Sequence, residues 1–221
     1  GAFGAVLMKS PALVAECVAA MAEVSRAEIT VKCRIGVDDQ TPAEALPAFL
    51  EAVSAAGVTR FIIHARKAWL QGLNPRQNRE VPPLDYPLVL AMKRAYPHLH
   101  ISLNGGVGSL EAAQDLLTQG LDGVMIGRAA YHEPFNILGR ADALLFGLGG
   151  ARDPFAVAEA MRAHIAAHLA ASGRLHQITR HMLGLFHGRP GARSWRRALS
   201  EGATAEGAGL ALFDAALAEL R

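Results

Sequence analysis

Four short apolar runs in this chain each end in residues that can hold an anion or a proton. Lys32 and Arg34 alternate inside ITVKCRI, His64 and Arg66 follow RFII, Asn104-Gly105-Gly106 follows HISL, and Gly127-Arg128 follows GVMI. A lysine inside an apolar strand costs several kcal/mol when buried without a partner, so Lys32 is read as facing a ligand. Arg34 shares its face, while Cys33 between them points the other way. Consecutive glycines at 105 and 106 let backbone N–H groups approach an anion at a helix start with no Cβ in the way. Gly127 and Arg128 repeat that arrangement in the next unit. Taken singly, a Gly-Gly turn is as well explained by tight chain reversal, and His64 by a core histidine bonded to a backbone carbonyl. Two such turns in adjacent units point to a phosphate-bearing ligand.

The elements that must position these residues alternate. Apolar spacing predicts helices over 13–24, 42–56, 85–96 and 109–119, and β-branched runs predict strands over 29–35, 60–64, 100–103 and 123–126. A polar loop over 65–84, punctuated by Gly72, Pro75, Pro82 and Pro83, separates the second strand from the next helix. Strand-helix alternation requires a parallel sheet with helices outside it, and in such folds ligands bind at the carboxyl ends of the strands. The fold class is α/β. A closed (β/α)8 barrel has eight strands, so four βα units amount to its C-terminal half. A self-sufficient open sheet would need a nucleotide-binding glycine loop after its first strand, where Gly36 stands alone. Residues 147–152 read as a linker, and 154–221 carry only helical periodicity. Two domains are expected, a barrel portion over 1–147 and a small all-helical domain over 148–221.

Composition narrows the class. The 221 residues are 51% hydrophobic and 19% charged, which excludes a disordered chain. No apolar run approaches the ~18 residues of a spanning helix, so no membrane partner is expected. Cys17 and Cys33 make neither a disulfide framework nor a metal-ligand pair; a reducing cytoplasm and no metal are the expectation. His164 and His168 share a helical face but lack the glutamate of a zinc-protease motif. Charge is uneven: 174–200 carries six arginines, three histidines and no acid, leaving −4 elsewhere in a chain of net +2. A second acid-free run, 52–79, carries Arg60, Arg66, Lys67, Arg76 and Arg79. Such clustering is either a solvated basic face or a surface for a polyanion. Trp69 in the long loop and Trp195 among the arginines could stack on bases or pin their segments to the body.

The strings GAFGAVLM, VKCRIGVDD, FIIHARKAWLQGLNPRQNREVPPLDY, SLNGGVGS, DGVMIGRAAYHEP and ITRHMLGLFHGRPGARSWRRALSE resemble the flavin-dependent tRNA-dihydrouridine synthases of the A-type subfamily. The resemblance runs over nearly the whole chain. It implies an FMN-bearing TIM barrel joined to a helical tRNA-binding domain, and reduction of D-loop uridines of the 20/20a class at the expense of NADPH. Lys32, His64, Asn104, Gly105, Gly106, Gly127 and Arg128 match the family's FMN-binding positions. Arg76, Arg79, Arg193 and Arg196 match positions that contact tRNA. In the family, hydride from reduced FMN reaches C6 of the uracil while a cysteine in an Asn-x-x-Cys-Pro-type motif protonates C5. That cysteine falls upstream of Gly1, so the resemblance implies no catalytic residue within this chain, an N-terminally truncated sequence, and a fragment inactive by itself. A monomer is expected. Two other readings stand beside this one: a non-catalytic tRNA-binding fragment, and another FMN- or phosphate-binding barrel oxidoreductase acting on a small metabolite.

Overall fold

A computed structural model of the chain describes residues 3–220. Its strands are β1 (Thr30–Arg34), β2 (Arg60–His64), β3 (His100–Asn104) and β4 (Gly123–Met125). They form one parallel sheet in the order β1-β2-β3-β4, with Arg34 beside His64 beside Asn104 beside Met125. α1 (Pro11–Val24) precedes β1, and α2 (Pro42–Ala55), α3 (Tyr86–Ala95) and α4 (Leu110–Thr118) run between successive strands, in the alternation expected. The helix limits have local causes. Proline stands in the first turn of α1, α2 and α3, where its missing N–H costs nothing. The Asp85 carboxylate accepts from the Leu88 N–H at the start of α3. At its other end the Lys93 ammonium donates to the carbonyls of Pro97 and Leu99 and pairs with Asp122 at 2.7 Å.

The sheet has two chemically different faces. Cys33, Phe61, Ile63, Ile101 and Leu103 are buried, in one core cluster with Leu46, Phe49, Leu50 and Val53, which recur at helical spacing along α2. The opposite face carries Lys32, Ile62, His64, Ser102 and Asn104. The edge of β1 is met by the 3-10 turn Gly4–Lys9, where the Met8 sulfur accepts from the Arg34 N–H at 3.3 Å.

Residue contacts divide the chain into two compact units: one runs to Val107 and resumes over Glu111–Ile126, the other comprises Gly108–Leu110 and everything from Gly127. The second unit contains α5 (Arg128–His132), α6 (Pro134–Phe146), α7 (Pro154–Ala170), α8 (Leu175–Thr179), α9 (Ala192–Glu201) and α10 (Leu210–Ala218). Whereas composition sets a boundary at 147/148, α5 and α6 make their contacts among the helices. The Arg189 guanidinium lies 4.8 Å from the Phe135 ring centroid. A Cβ on Gly184 would fall 2.1 Å from the His132 carbonyl oxygen, so the two backbones touch at a point that admits only glycine. The core of this unit is a chain of aromatic contacts, Phe155 to Phe186 to Trp195 to Phe213, with centroids 4.9, 5.0 and 5.5 Å apart. Trp195 is fully buried and its indole N–H donates to the Met182 carbonyl at 3.1 Å. Of the two readings open for Trp195, stacking on bases is set aside and pinning its segment to the body holds: it lies four residues before Leu199 on the buried stripe of an amphipathic helix. Among the described residues, no helix is long and apolar enough to cross a membrane.

Candidate functional site

Parallel register decides which side chains meet. Arg34, His64, Asn104 and Met125 end the four strands in one row, and Lys32 stands one pleat behind Arg34 on the same face. Adjacent strands lie ~4.8 Å apart, so these groups span only a few neighbouring side-chain widths. Asn104 ties two strands together, its carboxamide donating to the Met125 carbonyl at 2.7 Å while its own carbonyl accepts from the Ala65 N–H at 2.9 Å. His64 is buried, and the backbone at Gly105 passes close against its ring: a Cβ there would sit 2.5 Å from His64 Cδ2.

Gly105 and Gly106 adopt φ of +108° and +73°, which disfavour any side chain. A Cβ on Gly106 would meet Leu84 at 2.5 Å and the Tyr86 hydroxyl at 2.9 Å, and that hydroxyl donates to the Gly105 carbonyl at 2.6 Å. The glycine pair is thus demanded by the turn's own packing, whatever it binds. Gly127 differs. Its φ of −109° is open to any residue and no protein atom comes within 4 Å of where its Cβ would be. Nothing in the described chain demands glycine there, and the missing side chain leaves space beside Arg128.

Positive charge concentrates at the strand ends of the first unit. The Lys32 side chain is exposed as a whole, yet enough protein surrounds it that desolvation, and then the Arg34 charge, lowers its pKa. Burial likewise lowers that of Arg34, followed by the charges of Arg79 and Arg66. Arg34 donates through Nη1 to the carbonyls of Lys67 at 3.2 Å and Asn78 at 2.8 Å. Arg66 donates to the Pro82 carbonyl, and its buried Nε–H has no hydrogen-bond partner among the described residues. Cations that raise one another's energy, with an orphaned buried donor among them, are what an anionic group would satisfy. Sequence reasoning placed Arg34 and Arg66 among strand-end residues able to hold an anion without assigning either to a site; the acid-free run over 52–79 was a further signal for Arg66. It missed Asn78, which nothing in a polar loop distinguishes.

The arginines matched to tRNA contacts fall in both units. Arg76 is exposed and lies 3.4 Å from Glu80, and Arg79 closes a 3-10 turn, Gln77–Arg79, with its Nε–H donating to the Pro75 carbonyl at 2.8 Å. Arg193 and Arg196 are exposed on α9, opposite its buried Trp195 and Leu199. The two cysteines are unlike each other. Cys33 faces the core, where burial pushes its thiol up to about 12, and Cys17 is exposed on α1. Among the described residues no group of three or more His, Cys, Asp or Glu side chains could hold a metal ion.

The chain is 57% identical over 211 residues to the tRNA-dihydrouridine(20/20a) synthase of Shewanella oneidensis, covering 95% of the chain and 62% of that relative. It is 52% identical over 219 residues to the protein of that name from Salmonella typhimurium, covering 98% of the chain and 65% of the relative. A third, from Vibrio parahaemolyticus, is 52% identical over 222 residues and is covered to 68%. The chain thus spans about two thirds of the length of these curated relatives. The family model described as dihydrouridine synthase matches residues 1–220, and this chain belongs to that family.

Proposed function

We propose that a protein containing this chain reduces D-loop uridine in tRNA to dihydrouridine, using FMN bound at the strand ends and NADPH as reductant. The single observation that carries this reading is the row of Lys32, Arg34, His64 and Asn104 on one face of a parallel sheet, beside a family match over the whole chain. The residues suit FMN on one count: the strand-end cations leave an orphaned buried donor for an anion. Lys32, His64, Asn104, Gly105 and Gly106, with Gly127 and Arg128, are proposed to hold it, the glycine turns and Arg128 at the phosphate. FMN when bound supplies hydride chemistry. Lys32 contributes a fixed positive charge that favours an anionic ring system over a neutral one. Arg76 and Arg79 in the first unit, and Arg193 and Arg196 in the second, are proposed to neutralise tRNA phosphates while the target base is drawn out of the stack.

We assign the proton for the uracil to a cysteine outside this chain, because neither cysteine here is suited to the task. Cys33 is a protonated, buried thiol on the helix side of the sheet. The architecture we propose is the C-terminal half of a TIM barrel followed by a helical tRNA-binding domain, in a cytoplasmic monomer. The test is tRNA lacking dihydrouridine, incubated with FMN, NADPH and the protein, with dihydrouridine measured by mass. Formation at the 20/20a positions is expected from the full-length protein and none from residues 1–221 alone. Turnover of a free small substrate that persists when residues 154–221 are deleted would replace this reading with a metabolite oxidoreductase. A salt-sensitive tRNA complex with no flavin, in the full-length protein, would replace it with a non-catalytic RNA binder.

A further inference from the structure

The two tryptophans sit in opposite circumstances. Trp195 is sealed in the helical core, whereas Trp69, on the loop between β2 and α3, is 40% exposed. An indole left in water on a loop is ordinarily either mobile or used to pin that loop. Trp69 is neither, because its backbone is held by other groups. The Asn78 carboxamide makes three hydrogen bonds to this segment: Oδ1 accepts from the Trp69 N–H at 2.8 Å, and Nδ2 donates to the carbonyls of Trp69 at 2.8 Å and Leu73 at 3.1 Å. Asn78 is in turn held by Arg34, which also takes the Lys67 carbonyl. On either side of Trp69, Ala68 forms a parallel bridge with Val37 and the Leu70 N–H donates to Asp38 at 2.8 Å. The buried apolar anchor of the segment is Ala68, not the indole. The ring, 40% exposed, is therefore presented from a backbone that other groups fix on both sides.

Its surroundings say what it is presented to. The Lys67 ammonium lies over the ring at 5.1 Å from the centroid, and the exposed Arg76 stands on the same loop, within the acid-free run over 52–79. A rigid aromatic face flanked by cations is the arrangement that accepts an unpaired base and its phosphate together. We propose that Trp69 is a stacking platform for an unpaired nucleobase of the RNA substrate, with Lys67 on the ring and Asn78 as the residue that positions it. This deepens the function proposed above and rests on it.

The test measures tRNA affinity of the full-length protein as a function of salt. Trp69→Ala is expected to weaken binding about tenfold while leaving the slope of log affinity against log salt unchanged, since stacking releases no counterions. Trp69→Phe should stay within about threefold of the parent, because a smaller ring still stacks. Asn78→Ala should lose nearly as much as Trp69→Ala although the indole is intact. A second readout does not depend on the alanine variants folding: tRNA should quench the parent's tryptophan emission, and Trp69→Phe should remove the quenched component that Trp69 contributes. Parental affinity in Trp69→Ala, or quenching undiminished in Trp69→Phe, overturns the platform and leaves the tRNA reading standing. A parent that binds no tRNA overturns both.

Discussion

Arginine is used in two ways in this molecule. At the strand ends of the first unit, Arg34 and Arg66 are bonded to backbone carbonyls, and Arg34 is made costly by burial and by the charges of Arg79 and Arg66. On α9 of the second unit, Arg193, Arg196 and Arg197 project into solvent from a helix whose other side is anchored by Trp195 and Leu199. The first arrangement stores unfavourable charge that a specific anion relieves, so its worth depends on geometry. The second costs nothing to hold and offers charge to any polyanion, so its worth depends on salt.

Changes that separate the two regions should differ in size. The largest effect is expected from removing the anchor of the second: Trp195→Ala empties the centre of an aromatic chain and should destabilise the protein by ~3–5 kcal/mol, read from denaturant unfolding. Arg66→Met comes next, since it removes a buried guanidinium from the strand ends; flavin retention in the purified protein should fall more than about tenfold, with tRNA affinity changed little. Arg196→Ala should weaken tRNA binding only several-fold and reduce the salt slope by about 0.7 to 0.9, the signature of one phosphate contact. The smallest effects concern the buried groups of the first unit. Iodoacetamide should modify Cys17 in the native protein and spare Cys33, whose thiol is held at about 12. Cys33, and Tyr96 with a hydroxyl also raised to about 12 by burial and its bond to Glu51, both favour the neutral form when folded. Their contribution is complete below the unfolded-state values of 9.0 and 10.0 and is lost as pH rises toward 12, so stability should decline across that alkaline window.

What could be read in advance follows from how local each cause is. The β2 range was legible to the residue because RFIIH is β-branched, apolar and bounded by Gly57 and the loop after it. The opposed directions of Lys32 and Cys33 followed from period-two alternation alone, as their different exposure bears out. The grouping of α5 and α6 with the later helices was not legible, because it depends on Gly184 meeting the His132 carbonyl more than fifty positions away in the chain. Which of its two open roles Trp195 takes was not legible, because its arginine neighbours are the exposed side of a helix whose tryptophan is the buried side. Asn78 was invisible for a related reason: its importance lies in carbonyls at positions 69 and 73 that sequence spacing does not bring to mind.

The division of labour between the two regions is tested most directly by paired substitution in the full-length protein, with FMN content and tRNA affinity measured on each variant. Lys32→Ala should release the flavin and leave tRNA affinity nearly intact, and Arg193→Ala should do the reverse. An Arg193→Ala protein that loses its flavin while binding tRNA as before would contradict the account.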